Sequence, residues 1–577
     1  MKYLLLLLFI ALSWNLSAQT LTVFERSQGT KTATYEQGIA FYQQLADRSA
    51  LAQMQPFGPT DSGKPLHLFL LSGDGEFDVE KIKAQGKAIL LINNAIHPGE
   101  PDGVEASMML ARDMVERTSE FQAILNRVVI GIIPFYNIGG VLNRNSHTRT
   151  NQNGPEEYGF RGNARHYDLN RDFIKCDTRN AASFQEIFQY LDPDVFIDTH
   201  TSNGADYQYV LTIIPTQKDK LGGPLGEYLD GTMMPFLYDY MAKTPYEMTP
   251  YVSDLGRTPE QRGITDFLEG PRYSTGYAAL FHTIGFMPET HMLKPYKQRV
   301  EATHHFLEGT LKVMQRDKDN ILNARQKAKE NAINQTSFPL SWRRDTSRHE
   351  TITFKGYEAE YPTSPVTGQP RMYYNHDKPF EKTIPYYHHY LPSLEVKKPA
   401  AYIIPQGYHT VVKELLRNGV VMERLPSDKT MEVTAYFIED YQTSRRPYEG
   451  HYPHYGVQVR EEQQTIQFRE GDWYIPLNQW RNRYLLETLE PRAGDSYFAW
   501  NYFDPILGQK EYFSAYVFED RALELLENDS QLKSDFEARK KADPDFAKSS
   551  RAQLNFIYKR SPHYEPEHLR YPVFRQR

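Results

Sequence analysis

Cysteine is almost absent. Cys176 is the only thiol in 577 residues, so no disulfide can form within the chain, and the expected role of Cys176 is that of a small buried residue. Positive charge is not in surplus either. The 66 Lys and Arg against 73 Asp and Glu leave a formal charge of −7, which offers no footprint for nucleic acid or an anionic membrane. Beyond residue 19 no apolar run approaches the ~20 residues that a membrane span requires. Repeats and low-complexity tracts are missing as well. What remains is an ordinary globular balance, 40% hydrophobic and 24% charged, with length for two to four domains.

Residues 1–19, MKYLLLLLFIALSWNLSAQ, have the pattern of a signal peptide: Lys2, an apolar stretch, then Leu16-Ser17-Ala18 before Gln19. No cysteine follows closely, so a lipid anchor is not expected. The mature chain is expected to be exported and soluble, periplasmic or secreted.

The chain is organised around residues 88–103. The run 88–95 reads as a buried strand that stops at His97-Pro98-Gly99-Glu100, a tight turn. A helix is expected from Asp102, with Asp102 and Glu105 as a capping box. Strand ends that feed helices are where open α/β sheets place their sites. Other elements bracket this one: a helix over 34–50, strands over 64–72 and 127–136, and a helix near 178–191. The strand 194–202 holds His200, and the strand 281–290 carries Glu289. Helical pattern continues over 296–316 and, charged, over 317–333. Residues 137–170 lack apolar periodicity, and a loop of that length in a compact domain is usually functional or disordered. Arg144, Arg149, Arg161, Arg165 and Arg171 in and just after it favour function.

His97, Glu100, His200 and Glu289 all fall at or just after strand exits. Two imidazoles and a carboxylate suit Zn²⁺, whose catalytic sites use three protein ligands and one open position. Such an ion lowers the pKa of a bound water to about 7 and polarises a carbonyl, and Glu289 is the candidate general base. Asp168 is available to accept the second ring N–H of a ligating histidine. Asn170 and Arg171 stand side by side, an amide and a guanidinium suited to grip a carboxylate such as a peptide C-terminus. One further loop arginine can face a developing oxyanion. A second His-x-x-Glu, at His305 and Glu308, reads as a helix surface.

The His-x-x-Glu turn, the run Asp168-Leu169-Asn170-Arg171, the later strand ending in His200 and the last strand ending in Glu289 occur in one order. In this the chain resembles the zinc carboxypeptidases of the carboxypeptidase A/B type, over roughly residues 34–315. The resemblance implies His97, Glu100 and His200 as ligands of one Zn²⁺, with Glu289 as the catalytic base. It also implies Asn170 and Arg171 as the grip on the substrate's terminal carboxylate, and Asp168 as partner of a zinc histidine. For the family's electrophilic arginine Arg149 matches best, with Arg144 and Arg161 open. For its mobile tyrosine Tyr273 and Tyr277 are the candidates, neither at a clean spacing.

The fold implied is α/β, a zinc-carboxypeptidase-like mixed sheet with helices on both faces. A strand-rich accessory domain and a short, charged helical C-terminal tail with poor packing are expected to follow. The expected bounds are 1–19 for the signal peptide, 20–320 for the catalytic domain, 338–515 for the accessory domain and 516–577 for the tail. The implied activity is a zinc metallocarboxypeptidase acting on peptide or protein C-termini. The alternatives are a zinc hydrolase for cell-wall peptides with D- or γ-linked residues, or a catalytically silent peptide-binding protein. His388-His389 lack acidic neighbours in sequence and read as surface; the tyrosines past residue 350 read as packing of the accessory domain.

Overall fold

The computed structural model describes residues 20–253 and 257–577; the signal-peptide expectation for 1–19 lies outside them. Ten strands come first in the chain: β1 Ala52–Pro59, β2 Pro65–Leu71, β3 Ala88–Asn93, β4 Val128–Ile133, β5 Val195–Asp198, β6 His200–Ser202, β7 Leu211–Pro215, β8 Met248–Pro250, β9 Ile264–Thr265 and β10 Ile284–His291. All but β9 build one mixed sheet in the order β1-β2-β4-β3-β5-β10-β7-β8, with β6 beside β10. β4, β3, β5 and β10 run parallel; β1 and β2 are antiparallel to their neighbours, and β7 is antiparallel to β10 and parallel to β8.

The strand period of two divides the core. Leu90 and Ile92 of β3 pack on one side with the helices Tyr35–Arg48, Asp102–Glu116 and Tyr296–Asn334. Ile89 and Leu91 pack on the other with the helix Arg179–Leu191. Every residue of β3, β4 and β5 is buried, as continuous apolar strands covered on both faces require.

The second core also takes in Tyr402, Leu485 and Trp500, so the C-terminal region completes the cover of the sheet. That region is rich in strands: the pairs Ser337–Arg344 with Tyr390–Lys397 and Glu350–Glu360 with Tyr373–Tyr387, then a six-stranded sheet holding the hairpin Lys429–Thr443 and His454–Phe468.

Several local expectations differ. The helical patterns on either side of residue 317 form one helix, Tyr296–Asn334, with non-helical backbone at Asp317. The strand expected over 194–202 breaks at Thr199, and β6 pairs with β10. β1 is an edge strand, and its Pro and Gly hide it from periodicity. No capping box forms at Asp102: Pro101 occupies the N-cap without a side-chain bond. Both carboxylates serve tertiary contacts instead. Asp102 accepts from the hydroxyls of Thr201 and Thr290, and Glu105 from the backbone N–H of Phe24 and Ala33. The tail is better packed than its charge suggests, since Phe518, Phe536, Phe546 and Phe556 form a small core and Phe574–Gln576 returns to pair with Ala401–Ile404.

Candidate active site

β3, β5 and β10 are adjacent and parallel, and their C-terminal ends open on one crevice. The chain leaves β3 toward β4 on one side, while β5 lies on the other. This is the switch point where α/β sheets receive ligands. After Asn93 the backbone turns sharply, with Ala95 at φ 56°. Buried Asn137 ties the turn down, donating its amide to the carbonyls of Ile96 and Arg161. The Glu100 N–H closes the turn on the His97 carbonyl at 2.8 Å. Gly99 is required by close approach, because a Cβ there would lie 2.5 Å from Arg149 Cδ. His200 heads β6, and in the ladder it stands opposite Glu289 of β10.

These elements gather His97, Glu100 and His200 so that one donor atom from each lies within 4.8 Å of the others. His97 Nδ1 and His200 Nδ1 each stand 3.3 Å from a different oxygen of Glu100. Both Nε2 atoms are committed elsewhere, donating to Asp168 Oδ1 at 2.8 Å and to Asp198 Oδ2 at 2.9 Å. A carboxylate only accepts, so each ring carries a proton on Nε2, which leaves Nδ1, facing Glu100, as the atom a metal could take. His97 Nδ1 is buried without a hydrogen bond. Two inward Nδ1 atoms facing one buried carboxylate, each ring backed by a second carboxylate, form a donor set that fits Zn²⁺.

The electrostatics follow from burial. Burial pulls the Glu100 carboxyl upward, but His97, Arg149 and His200 outweigh it and hold it well below the usual range. Burial would depress His200, yet Asp198 and Glu100 raise it well above an ordinary histidine. Asp168 is likewise held far down against burial, by His97, Arg161 and Arg171. Glu289 goes the other way: burial, with Glu100 adding repulsion, pushes it up to about 8.

The remaining candidates are distributed as follows. Asn170 and Arg171 line the crevice with the triad and Glu289. The Asn170 side-chain oxygen accepts from the Ser274 N–H, and the Arg171 guanidinium lies 4.5 Å from the centre of the Tyr273 ring. Arg149 also lines the crevice, bonded to Glu100 at 3.0 Å and to the Thr201 carbonyl at 3.3 Å. Arg161 grips Asp168 through Nε and Nη2 and lines the crevice too. Arg144 is turned away, spent on the carbonyls of Ala33, Thr32 and Glu157. Tyr273 lines the crevice, but Tyr277 does not reach it. One helical turn later its ring is fully buried among Phe173, Phe184, Phe188 and Phe281, and its hydroxyl donates to Asn418 at 2.6 Å.

Three participants escape the sequence reading. Asp198 is one, although Asp198-Thr199-His200 near a strand end puts both side chains on one face. Tyr251 and Glu269 are the others; both line the crevice, and neither lies in a periodic segment. Glu269 is buried, its Oε2 has no hydrogen-bond partner, and burial pushes its carboxyl up to about 8. His388 and His389, read as surface, are largely buried between Asp230, Glu350 and Lys218, and neither lines the crevice.

A metallo-carboxypeptidase from Burkholderia cenocepacia superposes with a TM-score of 0.37 and 14% identity, covering 50% of this chain and 70% of its own. One from Pseudomonas aeruginosa, in complex with (2-guanidinoethylmercapto)succinic acid, gives 0.38 and 12% over 50% and 70%. Carboxypeptidase A from Helicoverpa armigera gives 0.37 and 14% over 54% and 78%. Among curated proteins none matches the chain. The family model that does match is that of the zinc carboxypeptidases, over residues 39–246 of this chain.

Proposed function

We propose that the protein is an exported, zinc-dependent metallocarboxypeptidase that removes residues from peptide C-termini. One ion per chain would be held by His97, Glu100 and His200. The observation that carries the reading is the placing of Asn170 and Arg171 on the wall of the crevice that holds the triad and Glu289. A guanidinium beside an amide grips a free carboxylate and has no obvious use where none arrives.

When bound, Zn²⁺ supplies Lewis-acid polarisation of the scissile carbonyl and lowers the pKa of a water beside it to about 7. Everything else is work for the chain. Arg171 and Asn170 bind the terminal carboxylate and aim the last peptide bond at the triad. Tyr273, stacked on Arg171, fixes the plane of the guanidinium. Glu289, whose raised carboxyl pKa the positive charge of an ion on the triad would draw back down, takes a proton from the attacking water and returns it to the leaving amine. Arg149 donates to the oxygen that gains charge as the carbonyl becomes tetrahedral. Asp168 and Asp198 hold the histidine rings in register throughout. Glu269, buried with one oxygen unpartnered, supports a preference for a cationic side chain at the C-terminal residue. The pattern of residues 1–19 supports export.

The test is one peptide in two forms, with a free and an amidated C-terminus. The unmodified enzyme is expected to cut the free form ~10²-fold faster or more in kcat/KM, since leaving a guanidinium without its charged partner costs on the order of 2–5 kcal/mol. Arg171→Ala should cut both forms equally slowly. Equal rates on the unmodified enzyme would remove the carboxypeptidase reading.

A further inference from the structure

A second cavity, of about 330 Å³, lies behind the crevice. The wall between them is one residue thick in three places. Ile214 faces the crevice and Pro215 the cavity; Tyr251 and Pro250 divide in the same way, as do Phe267 and Asp266. The opposite wall comes from the strands Glu350–Glu360 and Tyr373–Tyr387, through Ile352, Thr353 and Tyr386. The cavity is therefore closed only where the C-terminal region packs on the sheet. It is separate from the crevice and shares none of its lining residues.

Its chemistry is specific. The rings of Tyr209, Tyr238 and Tyr386 and the side chains of Met234 and Met248 give an aromatic, polarisable interior. Asp266 faces that interior and is 7% exposed. The backbone N–H of Phe267 and the Tyr386 hydroxyl lie close enough to its carboxylate to favour the charged form, and no lysine or arginine forms an ion pair with it among the described residues. The cations nearby are already engaged: Lys218 with Asp230 at 3.0 Å and with His389, and Lys355 with Glu247 at 2.5 Å. Burial pushes the Asp266 carboxyl up to about 7, the mark of a carboxylate without its counter-charge. Asp230 and Glu350, both more exposed, add negative charge to the lining.

We propose that this cavity is a binding site for a small organic cation, an amine or guanidine carried on an apolar or aromatic body. The cationic head pairs with Asp266 and lies against tyrosine faces, where the ring quadrupoles favour it. The apolar body fills the space between the methionines. Its volume suits a small ligand, at the lower end of the range for such sites. An anion of the same shape meets Asp266, Asp230 and Glu350 and is repelled.

Calorimetric titration of the full-length protein with three probes of one shape tests this: 2-phenylethylamine, 2-phenylethanol and 3-phenylpropanoate. The amine is expected to bind one site with Kd on the order of 0.1–1 mM, the range for about nine heavy atoms, and the alcohol about tenfold more weakly or not at all; the carboxylate, which the crevice can hold through Arg171, should not compete with the amine. Asp266→Asn should weaken the amine about tenfold or more. Ile352→Trp, which fills the cavity from the opposite wall, should abolish binding and keeps the test open if Asp266→Asn folds poorly. Glu269→Gln, altering the buried carboxylate of the crevice, should leave amine affinity unchanged. Equal binding of amine and alcohol, loss of binding in Glu269→Gln, survival of binding in Ile352→Trp, or no heat with the amine would each overturn the proposal.

Discussion

The carboxylate of Glu449 accepts a 2.9 Å hydrogen bond from the backbone N–H of Asp168, across 281 positions of sequence. Asp168 in turn holds His97 Nε2 at 2.8 Å. A turn of the C-terminal hairpin thus supports the residue that orients a proposed zinc ligand. Carboxylates behind ligating histidines typically contribute 10–100-fold in metal affinity. Asp168→Asn and Asp198→Asn are each expected to weaken zinc by ~10–100-fold in a competitive chelator titration. Glu449→Ala, one step further out, should weaken it by less than ~10-fold. Zinc affinity untouched by either aspartate substitution would break the chain of support.

The triad is legible in sequence because each member ends or follows an apolar run, and strand ends are where this architecture opens. Asp168 is legible for a similar reason, since the run 168–171 is dense in polar residues of distinct chemistry. Glu269 and Tyr251 are not. They lie in a stretch without periodicity, and only the pairing of β7 with β10 brings that stretch to the crevice. Tyr277 misleads because a tyrosine reads alike on either side of a helix. Tyr273, at the N-cap of Ser274–Leu280, stays in the crevice, while one turn of helix carries Tyr277 into the core. The pair Asp102 and Glu105 misleads differently: a capping box and two carboxylates spent on long-range contacts have the same sequence.

Glu289 is assigned the proton transfers and no metal contact. Glu289→Gln keeps the shape and removes the basic oxygen, so kcat should fall by ~10²–10⁴. Bound zinc, measured by elemental analysis, should stay at its original level. If zinc disappears together with turnover, Glu289 is a ligand.

Tyr273 and Tyr277 separate crevice from core. Tyr277→Phe deletes the 2.6 Å bond to Asn418 inside a closed aromatic cluster and should cost about 1–2 kcal/mol of stability with kcat/KM unchanged. Tyr273→Ala removes the ring beneath Arg171 and should raise KM for peptides with a free C-terminus, with a smaller effect on stability. Denaturant midpoints and steady-state kinetics on both variants decide it, and a kcat/KM loss confined to Tyr277→Phe would reverse the assignment.

His282 is 4% exposed at the joint between the nine-stranded sheet and the C-terminal region, where its Nε2–H donates to the Trp480 carbonyl at 3.1 Å. Nδ1 is buried with no partner. A proton added there would have no acceptor and would sit near Arg483, Arg325 and Lys329. Burial first, then those cations, push the pKa down from 6.5 to about 3. The folded value lies below the unfolded one, so the unfolded chain binds the proton first as pH falls. The neutral ring therefore stabilises the fold fully above pH 6.5, and that contribution is lost as pH drops from 6.5 toward 3. Between pH 7 and pH ~4.5 the loss should amount to about 2–3 kcal/mol. Asn cannot titrate, and it tolerates the positive φ of 55° at this position. His282→Asn should therefore flatten the acid limb by that amount, whatever its stability at pH ~7. Urea unfolding of both proteins at the two pH values measures the difference. Parallel acid limbs would mean that the buried ring takes its proton without strain, and that the joint is open to water at low pH.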